Sequence, residues 1–168
     1  MRVTSVLAIA AVSILFSACV DASRLREMAL PEKVEESDAI LVIEVIRNVE
    51  NASGDSDVDA HSEFMVSERV KWDGSSLSLR LVTYGPIPVM NPHCCLAGGK
   101  YLVFLRYGYR IFGILDGEIG IVTEGEADYV SVVNGRYGTY KIDDGQVIGW
   151  SDEPLALDSV VKEIRRIE

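Results

Sequence analysis

Apolar residues fall along this chain in three patterns, and each predicts a different element. The first is an unbroken run over residues 6–16 (VLAIAAVSILF), with Arg2 before it and the small residues Ser17 and Ala18 after it. The second is strand-like. Residues 39–49 (AILVIEVIRNV) are rich in β-branched side chains and almost wholly apolar before Arg47, which predicts a strand buried on both faces. Residues 62–72 alternate instead, with Phe64, Val66, Glu68, Val70 and Trp72 predicted on one face. Leu77, Leu79 and Leu81 alternate with Ser78 and Arg80 as a third strand, and residues 100–107 (KYLVFLRY) form a fourth. The third pattern is helical: Val160, Val161, Ile164 and Ile167 line one stripe of a predicted helix over 154–168, with Asp158 at its N-cap and Arg165 and Arg166 near its negative end. A shorter helix is predicted at 31–37 (PEKVEES), opened by Pro31 and stopped by Asp38.

Turn signals complete the outline. Asp73-Gly74, Asp116-Gly117, Asn134-Gly135 and Asp144-Gly145 are favoured hairpin dipeptides, so the region beyond Tyr107 is expected to hold several short strands. Residues 50–61 make a polar, acidic loop, and residues 85–99 a long loop punctuated by Pro86, Pro88 and Pro92. The expected fold class is mainly β: a small closed or partly closed β-barrel with a short N-terminal helix and a C-terminal amphipathic helix positioned to cover one mouth.

The first apolar run changes the picture of where the chain works. Its roughly eleven residues fit the usual 7–15 of a signal peptide's apolar core and fall short of the roughly 20 that span a bilayer. Phe16-Ser17-Ala18-Cys19 is similar to the lipobox of bacterial lipoproteins, in which the cysteine thiol carries diacylglycerol. A rival cleavage site lies after Ala22, in the A-x-A-like Val20-Asp21-Ala22. The expected division is therefore a lipoprotein-type signal peptide at 1–18, a polar leader at 19–30 and a single β-barrel-like domain at 31–168. The expected address is the cell envelope, lipid-anchored through Cys19, on the outer membrane where the host has two. The alternative is a soluble secreted or periplasmic protein.

Charge removes one class of partner. The chain carries a net charge of −10 with His neutral, and a leader holding Arg2 and no acid would leave it more negative still. Such a surface repels phosphate backbones, so nucleic acid is not an expected partner.

Candidate chemistry is sparse. Cys19, Cys94 and Cys95 are the only cysteines. Neighbouring Cα atoms lie about 3.8 Å apart, below the usual disulfide span of about 4.4–6.8 Å, so Cys94 and Cys95 stay open to three states: two thiols, a ring between neighbours, or a bond to another chain. His93-Cys94-Cys95 carries imidazole and thiolate donors suited to Zn²⁺ or Cu(I), but adjacent residues diverge, and a metal would need His61 or an acid from elsewhere. Asp55-x-Asp57-x-Asp59 imitates a calcium loop, yet Ala60 and Val66 stand where Gly and Glu are required. Glu124 and Glu126 flank Gly125 and read as a solvated turn. Tyr101, Tyr107, Tyr109, Tyr129, Tyr137 and Tyr140 read as cross-strand packing on the barrel surface rather than as a stacking platform. No G-x-S-x-G, H-E-x-x-H or P-loop occurs. No catalytic residue, metal or cofactor is therefore expected.

Three markers in order carry a family resemblance: Ser37-Asp38-Ala39 entering an apolar strand, Lys71-Trp72-Asp73-Gly74, and Cys95 followed by Gly98, Gly99, Lys100 and Tyr101-Leu102-Val103-Phe104. Over roughly residues 31–107 the chain resembles netrin-like domains, and within them the tissue inhibitors of metalloproteinases and their bacterial exported relatives. The resemblance implies a five-stranded OB-like barrel. The inhibitor members chelate a target's zinc through an N-terminal Cys-x-Cys; here Cys19-Val20-Asp21 has no second cysteine. The expected function is thus a non-catalytic module that binds an unknown envelope protein. The alternatives are thiol- or metal-dependent activity at His93-Cys94-Cys95, or metalloproteinase inhibition of the family type.

Overall fold

Two cores share the same pair of strands. The computed structural model describes residues 27–50, 60–72, 80–82, 94–115 and 118–168, with only the backbone for 109–115, 118–128 and 136. A short helix α1 (Leu30–Glu35) leads into β1 (Ala39–Glu50), β2 (Ala60–Trp72), β3 (Arg80–Val82), β4 (Lys100–Leu115) and β5 (Glu118–Val132). A 3-10 turn (Gly135–Gly138) comes next, then β6 (Thr139–Asp143), β7 (Gln146–Ile148), β8 (Leu155–Ala156) and helix α2 (Leu157–Arg165). The sheet runs β1-β2-β3-β5-β4-β6-β7-β8, and β1 also pairs with β4, so five strands return on themselves as a ring. All ring pairings are antiparallel except β3 with β5. The expected mainly-β class with a helix near each end therefore holds.

Strict alternation along β1 and β4 explains the two cores. Ala39, Leu41, Ile43 and Val45 point one way, with Tyr101, Val103 and Leu105 from β4, Phe64 from β2, Leu81 from β3 and Val130 from β5. Every ring strand contributes, so this core is the ring's interior. Ile40 and Val42 point the other way, with Leu102 and Phe104, into an outer core closed by β6, β7, α1 and α2. Residues 39–43 and 101–105 are all buried. A strand buried on both faces is what a near-continuous apolar run encodes.

The helices depend on this packing. An isolated nine-residue helix such as α2 is marginal in water. Burial of Val160, Val161 and Ile164, at about 1.5–3 kcal/mol each, outweighs that cost. α2 lies against the outer core, where its apolar stripe meets the outward residues of the sheet. Its N-cap is Ala156 rather than Asp158, which sits in the first turn beside the positive helix end. Ile167, expected in the stripe, is 37% exposed beyond the helix end.

Two further expectations change. β2 does not keep one face. Ile40 pairs with Lys71 and Leu41 with Arg69, leaving Val70 unpaired in a bulge. Val70 consequently joins the outer core, whereas Phe64, Val66 and Trp72 pack on the inner one. Beyond Tyr107 the expected short strands are β6, β7 and β8, but β5 is long, and β4 continues to Leu115 through a register shift around Gly108, whose φ of +73° suits glycine. Leu115 faces Glu118, as a two-residue connection requires. Asp144 and Gly145, at φ +48° and +75°, make the expected hairpin turn between β6 and β7. Asp73-Gly74, Leu77 and Leu79 lie outside the described residues.

α1 is held by two lysines. The Lys33 ammonium is buried, donating to Tyr137 O at 2.7 Å and Tyr140 Oη at 2.7 Å. It also lies 5.7 Å from the Phe104 ring centre and 5.3 Å from that of Tyr140. Burial holds its pKa below the usual lysine range, partly countered by Glu27. Lys71 Nζ donates to Val34 O at 2.7 Å and Ser37 O at 2.6 Å, satisfying carbonyls at the end of α1. The helix ends at Glu35 with Glu36 as its C-cap, earlier than expected, and Asp38 ties the chain to β4: its N–H donates to Leu105 O at 2.9 Å and its Oδ2 accepts from Tyr107 N–H at 2.8 Å.

Lys33→Ala removes a donor from two acceptors and the stem from a packed site. The expected loss is about 2–4 kcal/mol, read as a lower urea midpoint with an unchanged slope. An unshifted midpoint would show that the lysine is incidental to the docking of α1.

Candidate functional site

The cysteine loop enters the described structure at Cys94. Cys94 and Cys95 are joined to each other by a disulfide, with Cα atoms 3.0 Å apart. Of the three states open from sequence, this is the ring between neighbours. Cys95 is 3% exposed and belongs to the inner core, while Cys94 packs at its margin. In this state neither sulfur offers a thiolate for metal binding or nucleophilic attack.

Immediately after the disulfide, the chain makes a tight turn pinned to β1. Gly99 N–H donates to Leu96 O at 2.9 Å, closing the turn. Gly98 N–H donates to Val45 O at 2.7 Å, and Val45 N–H donates to Gly99 O at 3.0 Å. Leu96 N–H donates to Tyr101 Oη at 2.9 Å, from a side chain otherwise sunk in the inner core. Both glycines are required by geometry. Gly98 has a φ of +79°. A Cβ on Gly99 would lie 2.7 Å from a Tyr101 ring carbon and 2.9 Å from Leu96 O.

This frame presents apolar side chains outward. Leu96 is 68% exposed, Met65 52% and Ile46 51%. Val45 pairs with Phe64, and both point inward. Ile46 is next to Val45 in the chain, Met65 is next to Phe64, and Leu96 opens the turn that binds Val45. The three exposed side chains are thus carried on the β1–β2 pair and on the turn bonded to β1. Charges border them: Glu44 faces Met65 and lies 3.7 Å from Lys100, and Arg47 binds Glu63 through two bonds of 2.7 and 2.9 Å.

The other candidates are not brought together. Cys19, His93, Asp55, Asp57 and Asp59 lie outside the described residues. Glu124 and Glu126 are on β5, where only the backbone is described, so the turn expected around Gly125 is instead a strand paired with β4. Tyr101 is in the inner core and Tyr140 in the outer one, where it packs against Phe104 and Trp150, so these two are core residues rather than surface packing. Among the described residues no three His, Cys, Asp or Glu side chains converge as metal ligands. A groove of about 440 Å³ beside α2 is lined by Glu68, Asp158, Val161, Lys162, Arg165 and Arg166. There Arg165 reaches Glu68 Oε1 and Arg69 O, each at 3.3 Å, which spends its charge on holding α2 to β2.

The patch was not read from the sequence, because Ile46 lies in a run expected to be buried on both faces and the face of β2 that carries Met65 was given no role. The signal was there in part: Leu96-Ala97-Gly98-Gly99 sets a large apolar residue at the head of a glycine turn.

Gly99→Ala should cost about 1–3 kcal/mol through the clash with backbone and ring. Tyr101→Phe should cost about 1 kcal/mol by removing the acceptor for Leu96 N–H. Urea unfolding of both variants checks this, and a stability for Gly99→Ala equal to the parent's would contradict the described turn.

Compared with known proteins, the chain matches no family model and no curated protein.

Proposed function

We propose that this chain is an exported, lipid-anchored envelope protein whose body is an OB-like barrel serving as a non-catalytic protein-binding module. The ring order β1-β2-β3-β5-β4, with its one parallel pairing, supports the barrel reading; the netrin-like relationship rests on the sequence markers at 37–39, 71–74 and 95–104. The short apolar leader ending at Cys19 supports export and anchoring. Residues 20–29 would then tether α1 to the lipid.

The observation that carries the binding role is the cluster of Leu96, Met65 and Ile46. Large apolar side chains held exposed on rigid backbone, with charged neighbours at their edge, are the composition of a contact surface. Leu96 is the expected anchor: it is the most exposed of the three, and its turn is fixed by four hydrogen bonds to Val45, Tyr101 and itself. The acidic balance directs the module towards protein rather than nucleic acid.

Cross-linking and pull-down from intact envelopes test this reading. The parent protein should enrich a discrete partner, and Leu96→Glu should lose it at least tenfold, about 1.4 kcal/mol, with no change in unfolding midpoint. Failure to enrich any partner would end the binding role. Intact mass of the mature chain tests the address separately: a terminus at Cys19 bearing acyl chains is expected, and an unmodified terminus after Ala22 would replace the anchor with a soluble protein.

A further inference from the structure

His61 is buried, at 5% exposure, in a position with an unusual set of neighbours. It opens β2, facing Val49 of β1 on one side and Val82 of β3 on the other. Its ring meets that of Tyr129, on β5, edge to face at 5.6 Å and 70°. One imidazole therefore links β2 to β5 past the intervening β3. Among the described residues, β3 and β5 share the register pair Leu81 with Val130 and β2 and β3 share three, so the seam between β3 and β5 lies beside His61.

The charges around the imidazole are arranged against a second proton. Nδ1 is buried without a hydrogen-bond partner among the described residues, so a proton added to the ring finds no acceptor there. Arg80 on β3 and Arg47 on β1 place like charge nearby. Glu63, on β2, is the anion that faces the ring, 3.9 Å from Nε2. Its carboxylate is already held by two bonds from Arg47. Tyr129, the group contributed by β5, meets the imidazole through its ring.

We propose that His61 is an acid-responsive latch, whose protonation separates β3 from β5 and opens the ring at this seam. Burial above all, and then Arg80, holds the imidazole below its ordinary value of 6.5, with Glu63 pulling the other way and Arg47 adding to the depression. Above about pH 6.5 the ring is neutral in both the closed and the opened chain, and its packing contributes fully. As pH falls below that value, the opened chain takes up a proton that the closed chain refuses, and the balance moves towards opening. The β1–β4 pair carries no histidine and stays closed.

Amide hydrogen exchange of the full mature chain, corrected for intrinsic rates, provides the test. Between pH 7.5 and 5.5, protection at Leu81, Val82, Tyr129 and Val130 should fall severalfold, with little change at residues 101–104. His61→Phe keeps an aromatic edge against Tyr129 and cannot titrate, so its seam should be insensitive to pH. An equal loss of protection in His61→Phe, or no loss in the parent, would overturn the latch. A second measurement does not depend on that variant folding. In a His93→Gln chain, which leaves His61 as the only imidazole, its proton resonances should titrate below the ordinary midpoint together with the seam amides. An ordinary midpoint with unmoved seam amides would also overturn it.

Discussion

The β1–β4 pair is buried on both faces, and the rest of the structure is arranged around that constraint. Five residues from each strand, 39–43 and 101–105, alternate between two cores, so a displacement of one strand by a single residue would exchange every side chain between them. The register is therefore fixed by packing on two sides at once. The ring closes over one face, and the β6–β7 hairpin with both helices closes over the other. Neither layer could bury its apolar surface without the shared pair.

The polar groups at this centre do mechanical work. Lys33 fastens α1 by donating to Tyr137 O and Tyr140 Oη beneath the ring of Phe104, and Lys71 fastens the end of the same helix through Val34 O and Ser37 O. Trp150 stacks on Phe104 at 6.2 Å and donates to Glu163 at 3.3 Å, joining α2 to the same aromatic group. Two helices too short to persist alone are thus fixed to one outer core. Lys33 and Lys71 direct their ammonium groups chiefly to carbonyl and hydroxyl oxygens, and Lys33 also to aromatic faces, whereas surface ion pairs contribute little in water.

Rigidity is distributed unevenly, and the proposed roles match that distribution. The turn at 96–99 is bonded to β1 and Tyr101, so its exposed leucine is presented on a firm frame, as a contact anchor needs. The β3–β5 seam has a buried imidazole beside it. A ring held firmly at β1–β4 can open at β3–β5 while its contact surface remains in place.

Much of the fold was legible in the residues themselves. The unbroken apolar run at 39–43 and the apolar, strand-prone 101–105 announce strands with no solvent face, because no charged residue interrupts either. Pro31, Asp38 and Asp144-Gly145 mark boundaries through backbone preferences that hold in any context. The apolar patch and the latch were not legible. Ile46 and Met65 look like core residues until a register places Val45 and Phe64 inward and turns their neighbours out. Val70 looks like part of the β2 inner face until a bulge opposite Ile40 and Leu41 turns it over. His61 looks like a loop histidine until Val82 and Tyr129 arrive from strands about 20 and 70 residues away. Local pattern by itself determined which segments are strands and helices, since those preferences are set by each residue and its near neighbours. Only the tertiary structure decided which side of each strand is inside and which side chains meet, since both depend on pairings between segments far apart in the chain.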